Sequence, residues 1–87
     1  MNTVRVASPL RDYTGGSARI QATGTTIAEI LAHIERNHRG MRFRMIDEQD
    51  RIRPHIRIFI NQLEVQSLLE PVAARDEIHL VCALSGG

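Results

Sequence analysis

A single thiol, Cys82, four histidines and a closing Gly86-Gly87 are the residues of this 87-residue chain whose chemistry bears most directly on function. Cys82 has no cysteine partner for an internal disulfide, which suits a reducing compartment. Its parity with Ile78 and Leu80 along an alternating run makes it a core residue rather than a working thiol. His33 and His38 are five residues apart, which splits them across the surface of a helix. His55 and His79 could approach across strands, but no cysteine or carboxylate set accompanies them, so no metal site is expected. All eleven basic residues are arginines, which leaves no side-chain amine for acylation, isopeptide formation or a Schiff base. Lysine-dependent catalysis is thereby excluded. What remains is the main chain. The sequence closes on "ALSGG", and Gly87 offers a carboxylate with no Cβ beside it. By itself such a pair is an ordinary frayed terminus, so its meaning depends on the elements that hold it.

The length fits one compact unit, and a chain of this size buries roughly 60–65% of its extended surface. An apolar fraction of 43% supplies a core of that kind. No run approaches the ~18 apolar residues of a membrane helix, and "MNTVRVASPL" lacks a basic flank followed by an apolar stretch. A cytoplasmic protein without membrane association is expected. The net charge of +1 does not argue for nucleic acid. The arginines between Arg36 and Arg57 alternate with core residues and with Asp47, Glu48 and Asp50, without stacking aromatics, so no nucleic acid partner is expected either.

"TVRVA" alternates, Val4 and Val6 against Arg5, as a half-buried strand does. "SPLRDYTGG" reads as a loop marked by Pro9 and Gly15-Gly16, and "SARIQAT" as a second strand with Ala18, Ile20 and Ala22 inward, completing a hairpin. The period then changes to 3.6. Thr26 and Glu29 have capping-box spacing, and Ile27, Ile30, Leu31 and Ile34 form one apolar stripe, with Glu35 and Arg36 on the wet side. A helix is predicted from about Thr26 to about Arg39, with Gly40 as its left-handed C-terminal cap. In "MRFRMIDEQDRIRP", Met41, Phe43, Met45 and Ile46 fit a helical turn closing one end of the core, followed by an exposed connection. "HIRIFIN" is a strand with Ile56, Ile58 and Ile60 on one side. Asn61-Gln62 is a turn, "LEV" a short partner strand, "LLEPVAARD" a loop, and "EIHLVCA" the last strand.

An apolar helix stripe must cover one face of a sheet, which gives a two-layer α+β domain. With first and last strands as parallel neighbours, the arrangement is the β-grasp, or ubiquitin-like, fold: a mixed four- to five-stranded sheet packed on one main helix. The expected division is a domain over 1–83 and a flexible Gly-Gly tail over 84–87.

In "LRDYTGG", "TTIAEILAHIE", "HIRIFIN" and "DEIHLVCALSGG", in that order over nearly the whole length, the chain resembles the ubiquitin-like sulfur carriers. These comprise the small subunit of molybdopterin synthase, the thiamine-pathway carrier and the carrier of a thiocarboxylate-dependent cysteine pathway. The long "MRFRMIDEQDRIRP" segment is more similar to the cysteine type. Two turns depart from the family pattern: Asn61-Gln62 stands where Asn-Gly is usual, and Ala74-Arg75-Asp76 where Asp-Gly-Asp is usual. A residue other than glycine at the first must bear a left-handed conformation, or the turn differs.

The resemblance implies a carrier and co-substrate, not an enzyme. A ubiquitin-activating-type adenylating enzyme transfers AMP from ATP to the Gly87 carboxylate; sulfur from a donor protein displaces AMP, and the resulting thiocarboxylate passes sulfur to an accepting synthase. The chain itself binds no cofactor; ATP belongs to the activating partner. Gly86 lets the terminus thread a narrow channel, with Leu84 and Ser85 as the neck. The stretch from Ala83 to Gly87 reaches at most roughly 17 Å. Phe59 and Val81, on the sheet face away from the helix, are expected to form with Leu84 a docking patch beside the tail, framed by Arg5 and Arg57, which would pair with partner carboxylates. Two other functions share these features: a modifier joined through Gly87 to target lysines, and a β-grasp interaction module whose tail is inert.

Overall fold

Alternation in the first residues becomes a strand: Val4 and Val6 are buried, Arg5 is exposed, and β1 runs Asn2–Val6. The structure is a computed structural model describing residues 1–83. Leu84, Ser85, Gly86 and Gly87 lie outside the described residues. After β1 come β2 (Arg19–Ala22), α1 (Ile27–Asn37), α2 (Met41–Met45), β3 (Ile56–Ile60), β4 (Leu63–Val65) and β5 (Ile78–Cys82). The strands form one sheet in the order β2-β1-β5-β3-β4. β1 and β5 pair in parallel, Val4 beside Ile78 and Val6 beside Leu80, while the other neighbours are antiparallel. This is the predicted mixed sheet, with the last strand at its centre.

Ile27, Ile30, Leu31 and Ile34 of α1 join Val4, Val6, Ile56, Ile58, Ile78 and Leu80 of the sheet in one buried cluster. Each such side chain contributes roughly 1.5–3 kcal/mol by leaving water. α2 closes one end of this core through Met41 and Met45, both fully buried.

The N-terminus of α1 follows the capping-box spacing with one displacement. Thr26 Oγ1 accepts from the Glu29 N–H at 3.2 Å, but the Glu29 carboxylate reaches past Thr26 to the Thr25 N–H at 2.7 Å. The segment between β4 and β5 supplies the other acceptors: the Ile27 N–H donates to the Glu70 carbonyl (3.0 Å) and the Ala28 N–H to that of Leu68 (2.8 Å). The donors left open at a helix start are therefore consumed by a loop remote in sequence. Gly24 makes this close packing possible, since a Cβ there would stand 2.7 Å from the Ile30 nitrogen.

Four local expectations are corrected. Ser8–Thr14 is a 3-10 helix rather than a loop, held by the buried Leu10 and stopped by Gly15 at φ 65. Ala18 is exposed; it precedes β2 and contributes its carbonyl, not its side chain, to the sheet. α1 ends at Asn37, and Gly40, with φ 90, begins α2 instead of capping α1. The chain restarts there because the Glu35 carboxylate accepts from the Gly40 N–H at 2.9 Å and the Arg42 N–H at 3.1 Å. Phe43 leaves the core and is 57% exposed, because a single helical turn can bury only the Met41–Met45 side.

Both atypical turns are closed by asparagine. Asn61 itself takes the left-handed position, φ 55. Its side chain accepts from the Glu77 N–H (3.0 Å) and donates to Asp76 (3.1 Å). Asn2, only 3% exposed, donates to the carbonyls of Ala73 and Asp76, both at 2.8 Å. The Ala73–Asp76 turn is thus fixed by side chains from β1 and from the β3–β4 turn without a glycine.

Candidate functional site

The sheet face away from α1 carries the side chains that alternate with the core. Along β5 and β3 the register sets His79 opposite Phe59 and Val81 opposite Arg57. Phe59 and Val81 therefore lie on one diagonal of neighbouring strands and Arg57 and His79 on the other. Diagonal neighbours stand about 7–8 Å apart, within reach of an aromatic ring. Arg5 on β1 is in register with His79, which extends the row to Arg5, His79 and Phe59. All four of the sequence-predicted patch residues within the described chain, Phe59, Val81, Arg5 and Arg57, are brought onto this face.

Alternation did not disclose the charges that hold the face together. Glu77 receives both Arg5 Nε at 3.1 Å and His79 Nε2 at 2.9 Å. Arg57 pairs with Glu64 of β4 at 3.1 Å. Arg5 and Arg57 thus already have carboxylates of their own. Such solvated pairs contribute at most about 1 kcal/mol each, so exchanging them for carboxylates of another protein costs little. His79, Glu77 and Glu64 are the residues the sequence reading missed. Only the cross-strand register reveals them, since Glu64 is seven positions from Arg57 and Glu77, 72 positions from Arg5, leads into the neighbouring strand β5.

The root of the closing segment is well tied. Cys82 sits opposite Ile56, and the Ala83 N–H donates to the His55 carbonyl at 2.7 Å. The Cys82 thiol packs against the core; desolvation by burial pushes its pKa up, with Arg44 opposing. It remains a thiol and a packing group. His55 faces Ala83 while His79 faces Phe59, so the two histidines do not meet. His33 Nδ1 accepts from the Thr23 N–H at 2.7 Å and His38 Nδ1 contacts the Tyr13 carbonyl at 3.1 Å, so both serve local structure. Among the described residues no group of three His, Cys, Asp or Glu side chains could hold a metal ion, and no helix is long and apolar enough to cross a membrane.

A domain with a central parallel β5 leading straight into Leu84–Gly87 matches the ThiS family over residues 4–87. The chain belongs to the ThiS family. It is similar to the sulfur carrier protein CysO of Mycobacterium tuberculosis, 28% identical over 90 residues that cover 98% of this chain and 97% of the relative. Among solved structures it is similar to the Amycolatopsis orientalis BexX/CysO complex, with a TM-score of 0.93 at 29% identity and all of both chains covered. SAMP1 from Haloferax volcanii follows at a TM-score of 0.77 and 25% identity, covering 98% of this ThiS-family chain and 97% of SAMP1. These likenesses bear out the β-grasp reading and the family resemblance.

Proposed function

We propose that this ThiS-family protein is a sulfur carrier whose Gly87 carboxylate is the reactive group. The observation that carries the reading is the course of β5. It is held by β1 on one side and β3 on the other, its last residues are anchored to Ile56 and His55, and the chain continues directly into Leu84-Ser85-Gly86-Gly87. A domain of this kind offers its terminus to another protein and needs no catalytic side chain of its own.

In the first step a Gly87 carboxylate oxygen attacks the α-phosphorus of ATP held by an adenylating partner, and pyrophosphate leaves. A free carboxylate resists nucleophilic attack because oxide is a poor leaving group; the acyl-adenylate replaces it with AMP. A sulfide-level nucleophile, hydrosulfide released by the donor protein, then adds at the carbonyl carbon, AMP departs with loss of the sulfur's proton, and the thiocarboxylate remains. Glycine at 86 and 87 keeps the segment narrow, and Leu84 and Ser85 form its neck. Phe59 and Val81 make the apolar centre of the docking face, and Arg5 and Arg57 exchange Glu77 and Glu64 for partner carboxylates. The adenylating enzyme, the sulfur donor and the accepting synthase hold the catalytic groups and the ATP in the cytoplasm. The extended α2 segment favours an acceptor of the cysteine type over the molybdopterin or thiamine types.

Incubation of the full chain with ATP, the adenylating enzyme and a sulfur donor is expected to raise its intact mass by the oxygen-to-sulfur difference. The same spectrum checks that Gly87 ends the working protein. A chain lacking Gly87 that still acquires sulfur at the wild-type rate would refute the assignment. A second reading, a modifier joined through Gly87 to lysines, is supported by the likeness to SAMP1, named a small archaeal modifier protein. It predicts lysine adducts on other proteins in place of the thiocarboxylate mass.

A further inference from the structure

A second surface adjoins the root of the closing segment, where β3 begins. Phe43, Arg44, Arg53 and His55 border a hollow of about 200 Å³. The Arg53 guanidinium lies 4.6 Å over the Phe43 ring and its Nε donates to the Phe43 carbonyl at 2.7 Å. This fixes an exposed aromatic residue, Phe43, under a cation. Arg44 is exposed and forms no ion pair among the described residues, and neither does Arg53. The contrast with the sheet face is chemical: there each of Arg5 and Arg57 is paired with a carboxylate, whereas here, among the described residues, Arg44 and Arg53 make no direct ion pair and Asp47, itself held by Arg51, acts on Arg53 only at longer range. His55, which borders this hollow, also holds the Ala83 N–H through its carbonyl at 2.7 Å, so the surface adjoins the last described residue of the chain.

We propose that Phe43, Arg44 and Arg53 form a second docking site, for an acidic segment of the adenylating partner that takes up the tail. The inference rests on the sulfur-carrier reading. An arginine-capped aromatic beside two arginines without direct ion pairs among the described residues suits a carboxylate-bearing surface with an apolar contact at its centre. Its place beside Ala83 means that engagement there sets the direction in which Leu84–Gly87 enters the partner. Two separate contacts near the root restrict that direction more tightly than the sheet face alone.

The test is steady-state adenylation of the full chain by its adenylating enzyme, with Arg44→Glu and Phe43→Ala compared with wild type. Neither side chain serves the core, and matched thermal unfolding midpoints certify the fold. Each variant is expected to lose about tenfold or more in kcat/KM. The salt dependence of wild-type association is expected to flatten in Arg44→Glu. Variants within twofold of wild type, with normal adenylation, would overturn the docking site and leave the carrier reading intact. No adenylation of the wild-type chain would overturn both. Tight binding of a single-stranded oligonucleotide, lost in Arg44→Glu without any change in adenylation, would assign the patch to nucleic acid instead.

Discussion

On the helix-facing side of the sheet, Val4, Ile58, Ile78 and Leu80 are no more than 2% exposed, whereas on the other side of the same strands Val81 is 37% exposed and Arg5 and Arg57 stand in solvent. The first side is closed by α1 and fixed by volume: any change there leaves a void or a clash. The second is organised by exchangeable contacts, the Arg5-Glu77-His79 cluster and the Arg57-Glu64 pair. One set of backbone hydrogen bonds therefore supports a face that cannot change cheaply and a face that can trade partners. The proposed exchange of partners would use the second face while the first holds the fold.

The sharpest way to break this contrast is a pair of adjacent truncations on β3. Ile58→Ala is expected to cost about 2–5 kcal/mol in denaturant unfolding, and Phe59→Ala, one residue on, less than about 1 kcal/mol. Equal losses would erase the distinction between the faces. Gly24→Ala tests how tightly the helix start is wedged: with a Cβ forced against the Ile30 nitrogen at 2.7 Å, a loss of about 1–3 kcal/mol is expected. An unchanged midpoint would mean that the helix start can move aside.

Thr26→Ala should cost about 1 kcal/mol through the lost cap on the Glu29 N–H. Acid has a related effect. Glu29 is held below its ordinary pKa of 4.5 by the Thr25 N–H and hydroxyl, Glu35 below 4.5 by the Gly40 and Arg42 N–H groups, and Asp47 below 3.8 chiefly by the Arg51 N–H. Because the folded values lie below the unfolded ones, this stabilisation is complete above the ordinary carboxylate range. It disappears as the pH falls through the lowered values. Thermal midpoints flat through neutral pH and dropping only below that range are expected; Glu35→Gln should blunt the drop. The smallest effect belongs to Arg57 and Glu64, where a double-mutant cycle should give a coupling below about 1 kcal/mol. A coupling several times larger would make the pair structural and unavailable for exchange.

The sequence was a good guide wherever a rule spans a few neighbouring residues. Alternation placed Val4, Ile58 and Leu80 inside and Arg5, Phe59 and Val81 outside, and the Thr26–Glu29 spacing located the helix start. It failed where a side chain's surroundings come from elsewhere. Phe43 belongs to an apolar pattern yet faces water, and Gly40 opens a helix instead of closing one because Glu35 waits for its N–H. The apolar half of the site, Phe59 and Val81, was legible by parity. Its polar half was not, because pairing Arg5 with Glu77 requires knowing that β1 and β5 are parallel neighbours.

What the 87 residues determined unaided was the alternating and helical periodicity, the family of the fold, and an inventory of functional groups that holds a Gly86-Gly87 pair and no lysine. These follow from local backbone preference and from the inventory of functional groups, neither of which depends on distant contacts. Tertiary structure alone decided that residues 68–70 cap α1, that Asn2 and Asn61 close the Ala73–Asp76 turn, and that Arg53 lies over Phe43 next to Ala83. Hydrogen bonds and ion pairs are satisfied by whichever group the packed chain brings within about 3 Å, and sequence separation carries no information about that distance.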